Sequence, residues 1–321
     1  MDSRQANMPT PARDFDVIAF GESMALFAAD TPGELDAVSA YTRRLAGADS
    51  NVAIGLSRLG LSVDWTSRVG DDSFGRFIVA ALAAEGVDCR HVIVDETRPT
   101  GFQLKARRDD GGDPEVEYFR RGSAASALSP ADIPSARFAR ARHLHCTGIP
   151  PALGESARVL SRHAVAAMRA AGGTISFDPN LRPALWRDEA TMRREVNALA
   201  AQADWVLPGL DEGRRLTGAD TPAAIADFYL ERGAAEVVIK LGPNGAFWKS
   251  ADGECHAPGV AVARVVDTVG AGDGFAAGFI SARLAGLAPA ASLQRANAVG
   301  AAAVQVAGDM EGLPHLHELD P

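Results

Sequence analysis

Lysine is scarce in this chain. Only Lys105, Lys240 and Lys249 stand among its 32 basic residues, the balance a GC-rich genome produces. A basic cluster is also missing, and with 41 acidic residues the formal net charge is −9, which argues against nucleic acid as the main partner. A phosphorylated ligand is not excluded, because local donors and a metal set its binding rather than the total charge. Cysteine is limited to Cys89, Cys146 and Cys255. An odd number at wide spacing fits neither a metal site nor a disulfide framework, so the thiols are expected to stay reduced. No run approaches the roughly 18 apolar residues of a membrane-spanning helix. Residues 1–14 lack the apolar stretch of a signal peptide and are expected to be a disordered tail on a cytoplasmic protein. At 321 residues, 47% hydrophobic and 23% charged, the remainder can bury a large core as one big α/β domain or one and a half.

Short apolar runs alternate with longer segments of helical period. "FDVIAF" (15–20), "HLHCTG" (143–148), "GTISFD" (173–178), "DWVLP" (204–208) and "AEVVIKL" (235–241) read as buried strands. Amphipathic, alanine-rich segments lie at about 50–59, 74–85, 154–170, 190–202, 222–232, 273–285 and 290–306. Several end on a glycine suited to a left-handed cap: Gly60, Gly86, Gly172, Gly233 and Gly286. The alternation predicts a doubly wound, mostly parallel sheet with helices on both faces. Two stretches break the rhythm. Residues 24–47 are too irregular for a crossover helix, and 100–122 reads as strand, turn, strand around "DDGGD". An inserted β-layer of this kind serves as a lid or as a dimerisation flap.

Near the C-terminus, "VVDTVGAGDGFAAGF" (265–279) sets one carboxylate among glycines. "ARVVDT" reads as a strand and "GFAAGFISARLAG" as a helix, so "VGAGDG" is the turn between them. Unpaired amides at a helix N-terminus favour an anion, and Gly270, Ala271 and Gly272 would let it come close. No lysine follows as in a Walker A loop, and the spacing of a dinucleotide fingerprint is absent. Asp273 can be a first-turn carboxylate that suits the helix dipole. It can also be a base that takes the proton of a hydroxyl attacking a phosphoryl group held by those amides. On the second reading, base and anion hole share one turn because the reaction needs both at one point.

"DTVGAGDGFAAGF" resembles the C-terminal signature of the PfkB, or ribokinase-like, family of carbohydrate kinases, and the likeness extends over about residues 15–312. It implies a ribokinase-like α/β domain over 15–321 with lid segments at about 24–46 and 99–122, and an ATP- and Mg²⁺-dependent sugar kinase. By position, Asp273 would be the base, with Gly270, Ala271 and Gly272 as anion hole. Asp267 would sit near the family's monovalent-cation (K⁺) site, which not every member occupies. "IKLGPNGAFW" fits the nucleotide-side motif with Lys240, Gly242 and Gly245, and Asn297 would flank the adenine. The family's Asn-x-x-Glu, tied to Mg²⁺, is here "GLDE": Gly209 replaces asparagine and Glu212 is retained. Glu212 would then orient metal-bound water, or be an exposed helix-start glutamate.

"LAGADSNVAIGLSRLG" (45–60) resembles the N-terminal signature. In it, Gly47 permits close backbone approach, Asn51 can meet sugar hydroxyls, and Asp49 does the same or caps the helix. "GESMALF" places Met24, Ala25 and Leu26 where ribose- and fructose-type members carry an aspartate. A site that exchanges a hydroxyl acceptor for apolar contact prefers a deoxy sugar, unless Met24 to Phe27 merely pack the lid. Lys105 and Gln103 on one lid strand, Tyr118 and Arg120 on its partner, and Arg182 in "DPNLRPALW" suit a sugar carboxylate. Charges such as Arg107, Arg108 and Arg121 equally suit an exposed lid edge. His143 and His145 read as buried strand histidines rather than a catalytic pair. A homo-oligomer through the lid, dimer or higher, is expected. The other classes considered are a sugar-binding regulator, which would lose the base, and an NAD-dependent dehydrogenase, whose fingerprint is absent.

Overall fold

The computed structural model describes residues 13–108 and 114–319. Most of the expected N-terminal tail (residues 1–12) and the "DDGGD" turn (109–113) lie outside these described residues. Eight strands form the large sheet, in the order Gly253–Ala257, Ala246–Ser250, Glu236–Lys240, Trp205–Val206, Thr174–Asp178, Ala141–Thr147, Phe15–Phe20 and Val63–Thr66. The first two pairings are antiparallel and the rest parallel.

Strand alternation divides the core in two. In the first strand Ile18 and Phe20 join Leu144, Ile175, Phe177 and Ile239 on one face. Val17 and Ala19 join Val63, Trp65, Trp205 and Val238 on the other. Both faces are covered, so these strands are apolar almost without interruption. Glu155–Ala170, Glu189–Ala200 and Pro222–Leu230 cover the first face; Ala48–Arg58, Ser73–Ala84, Ala271–Leu284 and Pro289–Ala303 cover the second. Among the described residues no helix is long and apolar enough to cross a membrane.

The strand order reverses direction between Phe15–Phe20 and Ala141–Thr147. Ligands of open α/β sheets bind at such a switch point, outside the carboxyl ends of the strands. Gly21–Glu22, Gly148, Asp178–Asn180, Gly209 and Lys240 all emerge there. Above them lies a second sheet, ordered Tyr41–Ala46, Met24–Pro32, Phe102–Arg107 and Val116–Phe119. Its two central strands run parallel, and its outer strands are antiparallel to them. Phe27 and Phe102 on one face of this lid meet Phe74 of the Ser73–Ala84 helix, and the Phe119 ring stacks on Phe102 at 4.6 Å.

Two strand expectations need correction. "DWVLP" is a strand only over Trp205–Val206. "ARVVDT" is not a strand, because the Val266 and Asp267 amides both donate to the Val304 carbonyl at the end of a helix instead of to a sheet neighbour.

The crevice depends on backbones that nearly touch. A Cβ on Gly148 would lie 2.1 Å from the Pro179 carbonyl oxygen, forcing apart the two strand ends that flank the site. Gly148→Ala should therefore cost on the order of 1–3 kcal/mol of stability, read as a lower denaturation midpoint. An unchanged midpoint would show that the strand ends can move apart freely.

Candidate active site

Gly270 begins the site with a left-handed backbone, φ 84°. A side chain there would meet the Asp309 carbonyl oxygen at 2.0 Å, so only glycine fits. The Ala271–Leu284 helix starts at once, and its first internal bond runs from the Gly274 amide to the Gly270 carbonyl at 2.8 Å. The amides of Ala271, Gly272 and Asp273 therefore have no intrahelical acceptor, and Gly270, Gly272 and Asp273 line a cavity of about 370 Å³.

Asp273 is 7% exposed. Its two oxygens accept from the Asn51 amide at 2.8 Å and the Asn180 amide at 3.2 Å. Burial is the main force that pushes its carboxyl up to about 7, reinforced by nearby Asp178 and opposed by Asn51, Arg182 and Lys240. A carboxylate with that affinity exchanges protons near neutrality, as a general base should. The amide oxygens of Asn51 and Asn180 are buried without a partner, which equips the cavity with two acceptors for ligand hydroxyls. Asn180 reaches Asp273 from a left-handed backbone (φ 38°), the only non-glycine residue with positive φ among those described.

Around this centre most cations already have carboxylates. Lys240 lies 2.6 Å from Asp178. Burial alone would lower its pKa, but Asp178, Glu212 and Asp273 outweigh burial and raise it. Arg120 is paired with Glu22, which also accepts from Ser123. Lys105 Nζ lies 2.5 Å from Asp267 and 3.0 Å from Asp309. Lys105, expected to meet a substrate carboxylate, lines the cavity with its charge already paired to two buried aspartates. Arg182 donates only to the neighbouring Leu181 carbonyl and has no carboxylate partner among the described residues. Gly47 (φ 144°), Met24, Gln103 and Tyr118 complete this part of the lining. The register opposes Gln103 to Tyr118, which brings the polar residues of both lid strands to one face.

The remaining expected residues are placed less centrally. Glu212 lines the cavity, and its carboxylate accepts from the amides of Gly209 and Leu181 at 2.9 and 2.7 Å. It thus closes its own helix N-terminus and leaves lone pairs suited to metal-bound water. No cluster of three or more His, Cys, Asp or Glu able to hold a metal occurs among the described residues. Gly242, Gly245 and Asn297 lie outside the cavity. Asn297 donates to the Ala257 and Pro258 carbonyls, and a Cβ on Gly245 would strike the same Ala257 carbonyl at 2.0 Å. Asp49 does not cap its helix. It is fully buried against Gly21, and burial pushes its carboxyl up to about 8. His143 and His145 share the Ser176 hydroxyl inside the sheet, where burial lowers both pKa values, that of His145 to about 3; neither lines the cavity.

Asn180, Asp178, Glu22 and Asp309 were not singled out from the sequence. For the first two the signal was present in "FDPNLRPALW". For Glu22 and Asp309, nothing local marks a carboxylate whose partner lies far along the chain.

The model of the pfkB family of carbohydrate kinases matches residues 14–316. The 2-dehydro-3-deoxygluconokinase of Bacillus subtilis (strain 168) is 52% identical over 305 residues, covering 95% of this chain and 94% of that protein. A putative ribokinase II from E. coli, solved in complex with ATP and Mg²⁺, matches at a TM-score of 0.89 and 30% identity, covering 95% of this chain and 98% of that one. A fructokinase double mutant from Vibrio cholerae O395, in a form with fructose, ADP and potassium bound, matches at 0.83 and 28%, covering 95% and 97%.

Burial of Asp273 has a measurable consequence. Its carboxyl is raised from 3.8 to about 7, so between those pH values the folded state holds a proton that the unfolded chain releases. Wild-type stability therefore falls as pH rises through that window, and the cost is complete above it. Asp273→Asn, with Asn51 or Asn180 turning its amide over, escapes this cost. The variant should melt above the wild type at pH 8, with the gap narrowing towards pH 4. A lower melting temperature at pH 8 would refute the burial argument.

Proposed function

The chain belongs to the pfkB family and is an ATP-dependent carbohydrate kinase; from that premise we propose that it phosphorylates the 6-hydroxyl of 2-dehydro-3-deoxy-D-gluconate. Support for the substrate comes from the 52% identical relative of that name and above all from Arg182, the one cavity-lining cation with no carboxylate of its own among the described residues. A substrate carboxylate supplies the missing charge. Met24, which also lines the cavity, suits the deoxygenated carbon, and the free amide oxygens of Asn51 and Asn180 suit hydroxyls.

In this reading the 6-hydroxyl lies against Asp273, which takes its proton as the oxygen attacks the γ-phosphorus. The bond between that phosphorus and the β–γ bridging oxygen breaks, and ADP leaves. The amides of Gly270, Ala271 and Gly272 face the equatorial oxygens, where transition-state charge gathers. Lys240, held by Asp178, adds a positive charge beside Gly272. Lys240, Gly242, Gly245 and Asn297 form the nucleotide side. Glu212 would orient the water of a Mg²⁺ arriving with ATP, and that ion would supply charge to shield the phosphates. Tyr118 and Gln103 close over the sugar from the lid. The chain works in the cytoplasm as a homo-oligomer, dimer or higher, through the lid, whose edge strand Val116–Phe119 leaves Phe119 about half exposed.

Turnover with Mg-ATP should favour 2-dehydro-3-deoxy-D-gluconate over fructose and 5-dehydro-2-deoxygluconate by about a hundredfold in kcat/KM, or ~2.7 kcal/mol of discrimination. A preference for fructose would make this a fructokinase, and no turnover on any sugar would favour a sugar-binding regulator. Asp273→Asn should lower kcat by about 10²–10⁴ while ATP still binds, and wild-type kcat/KM should rise with pH through about 7 as the base loses its proton. Near-normal turnover in that variant would remove Asp273 as base. Arg182→Met should weaken the sugar acid far more than any neutral ketose, and equal losses on both would remove the carboxylate assignment.

A further inference from the structure

Asp267 and Asp309 place two carboxylates behind the anion-hole turn, with side chains 9% and 5% exposed. Two buried carboxylates at one point either keep a proton or pair with a cation. The cation here is part of the chain: Lys105 Nζ, 2.5 Å from one and 3.0 Å from the other, on a side chain 5% exposed. Lys105 belongs to the lid strand Phe102–Arg107 and forms part of the wall of the substrate cavity.

The aspartates are built into the turn they support. Asp267 Oδ1 accepts from the Val269 amide at 3.1 Å, and its Oδ2, the atom that meets Lys105, accepts from the Gly308 amide at 3.1 Å. The Asp309 backbone carbonyl lies where a Cβ of Gly270 would be. One ammonium therefore holds together the approach to the anion hole, the 308–309 loop behind it and a strand of the lid. A diffusible ion such as the potassium of the fructokinase neighbour, placed beside Asp267, would have to share that space with an ammonium already at contact distance. The residues present do not fit a second cation there.

We propose that Lys105 is this kinase's built-in monovalent cation. Its ammonium stands between Asp267 and Asp309, positions the anion-hole turn through Asp267 and makes that positioning conditional on the lid strand being in place. Lys105 acts here through Asp267 and Asp309 rather than on the reacting atoms; it is a positioning residue. The inference rests on the kinase reading only for its activity arm.

The experiment compares wild type with Lys105→Ala in tetramethylammonium, lithium, sodium, potassium and ammonium chlorides at one ionic strength. Two readouts are taken: melting temperature without substrates, and turnover with Mg-ATP and 2-dehydro-3-deoxy-D-gluconate. Wild type should show the same turnover and melting temperature in potassium as in tetramethylammonium. Lys105→Ala should lose about a hundredfold in kcat in tetramethylammonium, the scale of a small misplacement at the reacting centre. It should regain at least about tenfold of this in potassium or ammonium but not lithium, with a parallel rise in melting temperature as the ion binds the folded state. Activation of wild type by potassium, or a rise in its melting temperature, would overturn the proposal. So would a Lys105→Ala protein indifferent to potassium in both readouts. If the variant does not fold, the wild-type comparison still decides. If wild type phosphorylates no sugar offered, the melting arm decides alone, and it is then the kinase reading that has failed.

Discussion

A carboxylate kept out of water at the mouth of a helix is the constraint around which the rest of this structure is arranged. Asp273 must stay buried for its proton affinity to reach neutrality, yet it must be able to ionise beside amides that attract anions. Two asparagine amides, from Asn51 and Asn180, hold its oxygens. They come from the helix after the lid's first hairpin and from the loop after Asp178, so both halves of the sheet are committed to a single side chain. Lys240 is in turn moderated by Asp178, which keeps its positive charge near Gly272 without a direct ion pair to Asp273. The charges are graded by pairing: Lys105, Arg120 and Lys240 are matched to carboxylates, and Arg182 forms no ion pair among the described residues.

The glycines beside Asp273 do different work from one another. Gly270 supplies a left-handed turn and room for the Asp309 backbone, and Gly272 faces Lys240. Gly274 and Gly278 have no part in the anion hole. A Cβ at Gly274 would approach Leu313 to 2.9 Å, and one at Gly278 would come within 2.8 Å of the Ala296 backbone. They let the helix pass closely between its neighbours and so fix where Asp273 points. The motif combines a chemical half with a packing half, and the packing half aims the chemical one.

The alternation of strand and helix was legible because it follows from burial on two faces, and the left-handed cap glycines follow from local sterics. Gly60, Gly86, Gly172, Gly233 and Gly286 all have positive φ. The lid was legible as an interruption of that rhythm, but its central parallel pairing was not, since nothing in a strand names its partner. Within the site, Asp273 and Asn51 stood out through the motifs that hold them. The pairing of charges did not. Lys105 and Asp267 are 162 positions apart, Arg120 and Glu22 98, and Lys240 and Asp178 62. Lys105 and Arg182 look alike as basic residues, and only the fold separates them. The false strand at "ARVVDT" has a similar cause: an apolar run specifies burial, and the Val304 carbonyl, not a sheet edge, took its amides.

The order of the lid strands also bears on how the protein comes into being. Met24–Pro32 cannot form its parallel ladder until Phe102–Arg107 arrives, and the intervening chain includes a core strand and the helix that carries Phe74. Contacts between such distant segments form late, because a long loop must close before they contribute. On the ribosome all four lid strands emerge before Ala141–Thr147, whose register with Phe15–Phe20 closes a longer loop still, so the large sheet is completed only after the lid's segments are already out.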